Sequence, residues 1–350
     1  MLSKVSVLFG GMSFEHEISI VSAISLKKVL GDNIAHFIFL DGGHHLYLIP
    51  ADKMQAKIFA TGEYKQCKQL EWILGGLCYK GLFGSKRLNN VGVVLSLIHG
   101  GDGEDGVVSS VLEFYKLPFI APRVAACTLS FNKILTKNYA VHIGVKTLPY
   151  EYYRYGDEVH CSFTYPFIVK PATLGSSIGV SVVEQQSDME YALDSAFSYD
   201  REILIEPFYK SVREYNLAGY KNAQGEMVFS MIEEPKKTEL LSFDDKYLDF
   251  SRTTQTRQAN IDKELESKLQ ESFRRIYGDI FVGALIRCDF FVIDGEIYLN
   301  EINPIPGSMA HYLFENFPSH IQALSQALPR SKPIKITYNY VQKIRAAKGK

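Results

Sequence analysis

The hydrophobic pattern begins with a short apolar run that ends in a glycine turn. This run, KVSVLFGG, is followed by SFEHEISIVSAISLKKVL, in which apolar residues recur at helical spacing from Ile18 to Leu30. Residues 33–40 and 91–98 then have the composition of strands, and the second is apolar enough to be buried on both faces. This alternation predicts a parallel α/β unit that ends near residue 121.

Beyond residue 121, helices alternate with strands that form hairpins. Residues 129–141 and 188–197 have helical periodicity, and a further helix is predicted near residues 262–276. The strand patterns are YPFIVKP, GVSVVE and EILIEP, followed by the hairpin ALIRCDFFVIDGEIYLNEIN. Prolines at 329 and 333 separate a final short element. The pattern therefore predicts at least one more folded unit after the first.

Composition narrows the class of protein. The chain has 350 residues, of which 46% are hydrophobic and 22% charged, as in ordinary folded proteins of two or three domains. The net charge of −1 gives no global indication of nucleic acid or an anionic membrane as partner. Five scattered cysteines without a C-x-x-C pair favour a reducing compartment. With no apolar segment of about 20 residues, a cytoplasmic location is the expectation.

The segment LNEINPIPG carries polar residues in a strand-like context. Glu301 and Asn303 are two residues apart, so both side chains point to one face of a strand. The preceding strand carries Arg287 and Asp289 at the same spacing. Two carboxylates and a carboxamide oxygen suit Mg²⁺, and an arginine suits a developing oxyanion. A polar sheet face with an arginine–carboxylate pair explains the spacing equally well.

The connection between these two strands decides whether their polar side chains share a face. A two-residue turn at Asp294 and Gly295 would pair Ile293 with Glu296, placing odd residues opposite even ones. A three-residue loop, 293–295, would pair odd residues with odd ones. We expect the three-residue loop, because only that register gathers the four polar side chains.

Other polar segments give weaker signals. The loop ATLGSSI follows Lys170 and is rich in hydroxyls and backbone N–H groups, so it could close over phosphates or be an ordinary hairpin loop. HGGDGEDG and FGGMSFEHE both follow predicted strands, where ligands of α/β sheets bind. The alternative for HGGDGEDG is an acidic surface turn, and Glu15 and Glu17 in the other loop could simply be first-turn carboxylates that stabilise a helix N-terminus. Lys133 and Lys137 in FNKILTKN are helical neighbours of the kind that usually form a solvated face, and DDKYLDF reads most simply as a surface loop.

Taken in order, these segments resemble D-alanine–D-alanine ligases of the ATP-grasp superfamily. The matching segments are GGMSFEHEIS, HGGDGEDG, FNK, VKPATLGSSIGV, ILIEPF, DKY, RCDFF and NEINPIPGSM. The resemblance implies an α/β ATP-grasp fold, with an N-terminal parallel α/β domain at 1–121 and two ATP-grasp lobes at 122–205 and 206–350 that hold ATP between them. It also implies ligation of two D-alanines through a D-alanyl phosphate, for peptidoglycan precursor synthesis, and a homodimer.

The resemblance also assigns nucleotide and metal positions. The phosphates of ATP would contact Lys133, Lys170 and Lys246. The hinge beside the adenine would consist of Glu206, Phe208 and Tyr209. Glu214 would bind the ribose, and the aromatic side chain of Phe291 would also contact the nucleotide. Two Mg²⁺ ions, or Mn²⁺ in their place, would be held by Asp289, Glu301 and Asn303, with Glu301 bridging them.

The substrate positions implied by the resemblance come from all parts of the chain. Glu15, helped by His99, would bind the ammonium of the first D-alanine, and Ser176 and Tyr247 would link with Glu15 to close a loop over the site. Arg287 and the Gly307 N–H would form the oxyanion hole. Tyr312 and Leu313 would belong to the substrate-binding segment near the carboxylate of the second D-alanine. Many relatives have serine where this chain has Tyr312, so the group that binds this carboxylate is left open.

Two alternative functions remain at this point. In similar ligases a tyrosine at the position of Tyr247 accompanies dipeptide formation, whereas phenylalanine or histidine accompanies D-lactate ligation. Tyr247 thus favours D-alanyl-D-alanine over a D-alanine–D-lactate product. A nucleotide-binding regulator without catalysis would require the loss of a metal or oxyanion residue, and all of these are present.

Overall fold

The computed structural model describes residues 4–210, 212–235, 258–330 and 332–348. Within these ranges the strands form one eight-stranded sheet and two four-stranded sheets. Among the same residues, no helix is long and apolar enough to cross a membrane. Lys246 and Tyr247, which the resemblance places at the active site, lie outside the described residues.

The first sheet combines parallel and antiparallel strands. Its strands are β1 (Val5–Gly10), β2 (Ile34–Leu40), β3 (Leu46–Ile49), β4 (Lys68–Ile73), β5 (Gly76–Gly81), β6 (Gly84–Arg87), β7 (Val93–Ser96) and β8 (Phe119–Ile120). The order is β6-β5-β4-β3-β2-β1-β7-β8, and the predicted parallel pairing is found from β2 to β8. The strands β3 to β6 extend this sheet as an antiparallel meander. The helices of this part are α1 (His16–Leu30), α2 (Ala56–Ala60) and α3 (Val107–Phe114).

The other two sheets are antiparallel. The second has the order β11-β10-β12-β9 and contains β9 (Glu151–Arg154), β10 (Phe167–Pro171), β11 (Ser181–Val183) and β12 (Glu202–Pro207). The third has the order β14-β13-β15-β16 and contains β13 (Arg213–Lys221), β14 (Met227–Phe229), β15 (Ile286–Ile293) and β16 (Glu296–Asn303). The remaining helices are α4 (Val124–Phe131), α5 (Lys133–His142), α6 (Met189–Phe197), α7 (Lys263–Tyr277), α8 (Phe317–Gln326) and α9 (Asn339–Lys348).

The helix predicted over residues 129–141 is wrong in one respect, because the structure divides it at Asn132. The Asn132 side chain accepts hydrogen bonds from the backbone N–H groups of Ile134 (2.9 Å) and Leu135 (3.1 Å). Asparagine is a preferred N-cap residue, so it starts a new helix at Lys133. This start fixes Lys133 at the first turn of α5.

A shared hydrophobic core joins the two ends of the chain. Leu26 of α1 is buried together with Met309 and Leu313 of a short segment, Gly307–Leu313, and with Phe317 of α8. Burying such side chains contributes about 1.5–3 kcal/mol each. The segment after β16 is therefore held against the helix that follows β1, and this contact positions the candidate site.

The β15–β16 hairpin differs from its predicted loop. Ile293 pairs with Glu296, so the connection is the two-residue turn Asp294-Gly295 and not a three-residue loop. Both turn residues have positive φ (52° and 79°), the type I′ conformation that an Asp-Gly pair favours. A bulge then restores the odd-to-odd pairing, because Asn300 is inserted between the pairs Phe290–Leu299 and Asp289–Glu301.

The predicted face of polar side chains thus forms by a different route. Past the bulge, Arg287 pairs with Asn303 and Asp289 pairs with Glu301. Directly opposite residues in an antiparallel pair project to the same face. The four side chains therefore share one face, as the spacing predicted.

Replacing Gly295 by alanine should destabilise the protein through the backbone alone. A Cβ at Gly295 meets nothing within 4 Å, but its φ of +79° disfavours any L side chain by about 1–2 kcal/mol. Gly295→Ala is expected to lower the urea midpoint of unfolding. Gly42→Ala is the control, since Gly42 also has open space but no positive φ. Equal midpoints for the two variants would contradict the turn assignment.

Candidate active site

Two glycine-containing loops meet at the carboxyl ends of β1 and β7. These strands are parallel neighbours, so the loops that follow them lie side by side. The Met12 N–H donates to Asp102 Oδ2 (2.6 Å), and the Ser13 hydroxyl donates to the His99 carbonyl (2.7 Å). Gly100 has a φ of +69°, and a Cβ there would lie 2.8 Å from Glu15 Oε2. This glycine therefore allows the second loop to approach Glu15 closely.

Glu15 lies where the loop after β1 contacts the loop after β10. Its side chain is buried, and the Ser176 hydroxyl donates a hydrogen bond to Glu15 Oε1. Burial raises the pKa of Glu15, with a further contribution from the charge of Glu104. Ser176 belongs to the loop after β10 and has a φ of +56°. The loop that was predicted to close over a ligand thus reaches Glu15.

His99 connects the first sheet to the segment after β16. Its Nε2 lies 3.0 Å from the Ser22 hydroxyl, which also accepts a hydrogen bond from the Ser308 N–H (3.1 Å). Burial lowers the pKa of His99, although Glu15 and a backbone hydrogen bond at Ile305 oppose this. A neutral imidazole is therefore favoured in the pocket.

Glu104 is a site residue that the sequence interpretation missed. Its Oε1 lies 3.8 Å from His99 Nδ1, and burial raises its pKa to about 8. It lines a small cavity together with Lys133, Glu301 and Asn303. Its place in HGGDGEDG, two residues after Asp102, was the available signal.

Ser22 was also missed, and its signal was a polar stripe. Glu15, Ser19 and Ser22 recur at helical spacing along the otherwise apolar buried side of α1. Polar groups on a buried face need partners. The Ser19 hydroxyl donates a hydrogen bond to the Leu97 carbonyl (2.6 Å). The Ser22 hydroxyl forms hydrogen bonds with His99 Nε2 and with the Ser308 N–H.

The polar face of β15 and β16 is tightly hydrogen-bonded. Arg287 donates two hydrogen bonds to Asp289, from Nε to Oδ1 (2.7 Å) and from Nη2 to Oδ2 (2.8 Å). Asn303 Nδ2 also donates to Asp289 Oδ2 (3.0 Å). Burial raises the pKa of Asp289 against the effect of Arg287, and the charge of Glu301 raises it further. The face therefore concentrates oxygen donors and like charge.

The lysines form a second charged group. Lys170 Nζ lies 2.7 Å from Glu206 Oε2, while Lys137 Nζ contacts Glu206 Oε1. The Lys133 ammonium donates to the Leu174 carbonyl, and burial lowers the pKa of Lys133. Lys137 is not on a solvated face, because its side chain is only 3% exposed. The sequence missed this because helical spacing alone does not show which side of a helix is covered.

The expected nucleotide positions lie on adjoining elements. Phe208 follows β12, and its N–H donates to the Pro166 carbonyl (3.1 Å), whereas the Tyr209 side chain is exposed. Glu214 on β13 pairs directly with Phe291 on β15. Glu206 therefore lies at the end of β12 in the second sheet, with Phe208 directly after this strand, whereas Glu214 and Phe291 lie in the third.

The segment Gly307–Leu313 has an unusual backbone. Ser308, Met309 and Ala310 all have φ near +50°, which for non-glycine residues costs about 1–2 kcal/mol each. Burial of Met309 and Ala310 and the hydrogen bond from Ser308 hold this conformation. It places the Tyr312 hydroxyl 3.4 Å from Arg287 Nη1, while Leu313 is buried and its carbonyl accepts from the Met231 N–H (3.2 Å).

Comparison with known proteins identifies the family. Residues 4–122 match the family model described as the D-ala D-ala ligase N-terminus, and residues 144–322 match the D-ala D-ala ligase C-terminus. A D-alanine–D-alanine ligase of Helicobacter hepaticus is 53% identical over 350 residues, covering 99% of this chain and 100% of that protein. One of Wolinella succinogenes is 54% identical over 347 residues, with coverage of 99% and 100%.

Solved structures agree with this result. The crystal structure of D-alanine–D-alanine ligase from Helicobacter pylori superposes with a TM-score of 0.84 and 48% identity, covering 94% of this chain and 99% of that chain. The ATP-grasp fold predicted from the sequence is confirmed by this neighbour. Family models over both parts of the chain, together with relatives more than 50% identical over nearly their whole length, show that this chain belongs to the D-alanine–D-alanine ligase family.

Proposed function

We propose that this chain uses ATP to join two D-alanine molecules for peptidoglycan precursor synthesis. Family membership implies an ATP-dependent ligase of small-molecule substrates. The observation that carries the assignment of chemistry is the shared face of Arg287, Asp289, Glu301 and Asn303, which adjoins the cavity lined by Lys133 and Glu104. Oxygen donors for a divalent cation and cations for phosphate are thereby brought to one place.

A carboxylate resists attack by an amine because its oxygen is a poor leaving group. In the first proposed step, the carboxylate of one D-alanine attacks the γ-phosphorus of ATP, giving D-alanyl phosphate and ADP. The amine of the second D-alanine then attacks the carbonyl carbon and loses a proton. The tetrahedral intermediate releases phosphate and leaves the peptide bond. Phosphoryl transfer depends mainly on positioning and charge neutralisation, which the residues below would supply.

Glu15 would bind the ammonium of the first D-alanine. It is a buried acceptor whose Oε2 has no hydrogen-bond partner among the described residues. His99 interacts electrostatically with Glu15 and is held by a hydrogen bond with Ser22, so it would maintain the geometry of this pocket. Ser176, which donates to Glu15 Oε1, would close the loop after β10 over the substrates with Tyr247.

The nucleotide would lie between the second and third sheets. Lys133, Lys170 and Lys246 would contact its phosphates. The adenine and ribose would be bound by a group that spans the two sheets: Glu206, Phe208, Tyr209, Glu214 and Phe291. The support is that Glu206 lies at the end of β12, that Phe208 comes directly after this strand, and that Glu214 lies opposite Phe291.

The residues on the third sheet fit Mg²⁺. Asp289 and Glu301 are opposite each other, and the amide of Asn303 donates to Asp289, which identifies its oxygen as the acceptor end. Hard oxygen donors suit Mg²⁺ or Mn²⁺, and a cation would offset the repulsion between the two carboxylates. We propose that Asp289, Glu301 and Asn303 would hold two such ions, with Glu301 contributing to the binding of both. Bound there, they would neutralise phosphate charge during transfer.

Arg287 and the Gly307 N–H would stabilise the oxyanion of the tetrahedral intermediate. Arg287 is fixed by its two hydrogen bonds to Asp289, so its remaining Nη1 group points toward Tyr312. Tyr312 and Leu313 would adjoin the second D-alanine, with the tyrosine hydroxyl near its carboxylate. A preoriented cation is worth most where water is excluded.

Three broader features complete the proposal. The three sheets support an N-terminal domain at 1–121, a central lobe at 122–205 and a C-terminal lobe at 206–350. We propose that the protein acts as a homodimer. We also propose that it acts in the cytoplasm, where ATP is available.

The function is tested by measuring phosphate release from ATP and Mg²⁺ with three acceptor sets. D-Alanine alone should give D-alanyl-D-alanine, identified by mass spectrometry. L-Alanine should give no turnover, and D-alanine with D-lactate should give mainly the dipeptide. A predominant D-alanyl-D-lactate product, or no D-alanine-dependent turnover, would refute the proposed reaction.

Glu301→Gln should lower kcat by about 100-fold, because it removes a carboxylate from the proposed metal site without changing its volume. The concentration of Mg²⁺ needed for half-maximal activity should also rise. Glu296→Gln is the matched control on the same strand, since Glu296 is exposed and pairs with Lys146. Near-normal D-alanine turnover by the Glu301 variant would remove Glu301 from the metal site.

The affinity for the first D-alanine should weaken as the pH falls through the pKa of Glu15. That pKa lies above the ordinary glutamate value, mainly because of burial, and only the ionised carboxylate pairs with an ammonium. The KM for the first D-alanine should therefore rise at a pH above the usual glutamate range. Glu15→Gln should raise KM about tenfold and abolish this dependence. The same pH profile in that variant would exclude Glu15 as its source.

A further inference from the structure

Lys137, Glu206 and Lys170 form a buried group in which each carboxylate oxygen has its own lysine. Lys137 Nζ contacts Oε1, and Lys170 Nζ lies 2.7 Å from Oε2. The side chains of Lys137 and Glu206 are each 3% exposed, and that of Lys170 is 14% exposed. The three elements that supply them, α5, β10 and β12, pack around one point.

The group carries one more positive charge than negative charge. Burial disfavours ionisation of Glu206, but Lys170 and Lys137 outweigh it and lower its pKa to about 2. Burial lowers the pKa of Lys137, with Glu206 opposing. A buried cluster with surplus positive charge favours the binding of an anion, and Lys170 and Glu206 of this cluster lie close enough to Lys133 to affect its pKa.

The two lysines differ in their freedom to move. Lys137 Nζ also lies 3.4 Å from the Leu148 carbonyl and 5.4 Å from the Tyr150 ring centre, so it is enclosed. Lys170 is the more exposed of the pair, at the end of β10 that leads into the loop 172–178. Only Lys170 can turn toward a nucleotide without leaving a closed pocket.

We propose that Lys137 is a positioning residue for nucleotide binding: it keeps Glu206 neutralised at the hinge, so that Lys170 is released to the phosphates of ATP. This inference rests on the proposed function of Lys170 and Glu206. Without Lys137, Lys170 is the sole partner of a buried carboxylate. Turning to the phosphates would then leave Glu206 unpaired, which is costly in a dry site.

The first test is ADP binding by calorimetry in the presence of Mg²⁺. Lys137→Met should raise the Kd for ADP and the KM for ATP about tenfold or more, with kcat at saturating ATP changed less than about threefold. Lys146→Met is the control, because Lys146 pairs with Glu296 on the surface, 57% and 55% exposed. Its Kd should be unchanged. An unchanged Kd in Lys137→Met, with wild-type thermal unfolding, would overturn the inference.

A second pair of variants keeps the inference testable even if the single variant Lys137→Met folds poorly. In the Glu206→Gln background no buried carboxylate needs a cation, so adding Lys137→Met should change the Kd for ADP by less than about threefold. A tenfold loss in this background as well would show that Lys137 acts by some route other than Glu206. Failure of the wild-type protein to bind ADP would instead refute the proposed function itself.

Discussion

The pairing of Asp289 with Glu301 across β15 and β16 is the constraint on which the site depends. A strand alternates its side chains, so a shift of one residue would send Glu301 and Asn303 to the opposite face. The Asp294-Gly295 turn alone sets the wrong register for this purpose, and the bulge at Asn300 corrects it. The hairpin therefore combines a turn of favourable backbone geometry with a local irregularity that aims the polar groups.

The charges gathered at this face are balanced by groups from other parts of the chain. Arg287 neutralises Asp289 within one strand, whereas Lys133 and Lys170 come from α5 and β10. The pKa of Glu104 is raised to about 8, so this carboxyl group can stay protonated. In that form it adds no further negative charge beside the carboxylates of the site. Because no single element supplies a balanced set, the chemistry depends on correct packing of all three sheets.

Sequence patterns predicted the helices, the strands and the family well. They predicted several local details of the backbone and of side-chain burial only in part. The spacing of Arg287, Asp289, Glu301 and Asn303 was sufficient to place them together, since a strand has a fixed period of two. The loop length was wrong, because an insertion distant from the turn can restore a register. Lys137 was misread as solvated, since burial depends on what packs against a helix. The left-handed backbone at Ser308, Met309 and Ala310 had no glycine to indicate it.

The core shared by α1 and the Gly307–Leu313 segment has a consequence for how ligands enter and leave. The pockets proposed for D-alanine and for the oxyanion are joined by buried side chains and by the hydrogen bond from Ser308 to Ser22, so they should move as one body. The second sheet reaches Glu15 through the loop after β10, where the Ser176 hydroxyl donates a hydrogen bond to Glu15 Oε1. Opening one of these two pockets without the other would expose apolar side chains and break the hydrogen bond from Ser308 to Ser22, so the exchange of ligands would cost least through elements outside this core.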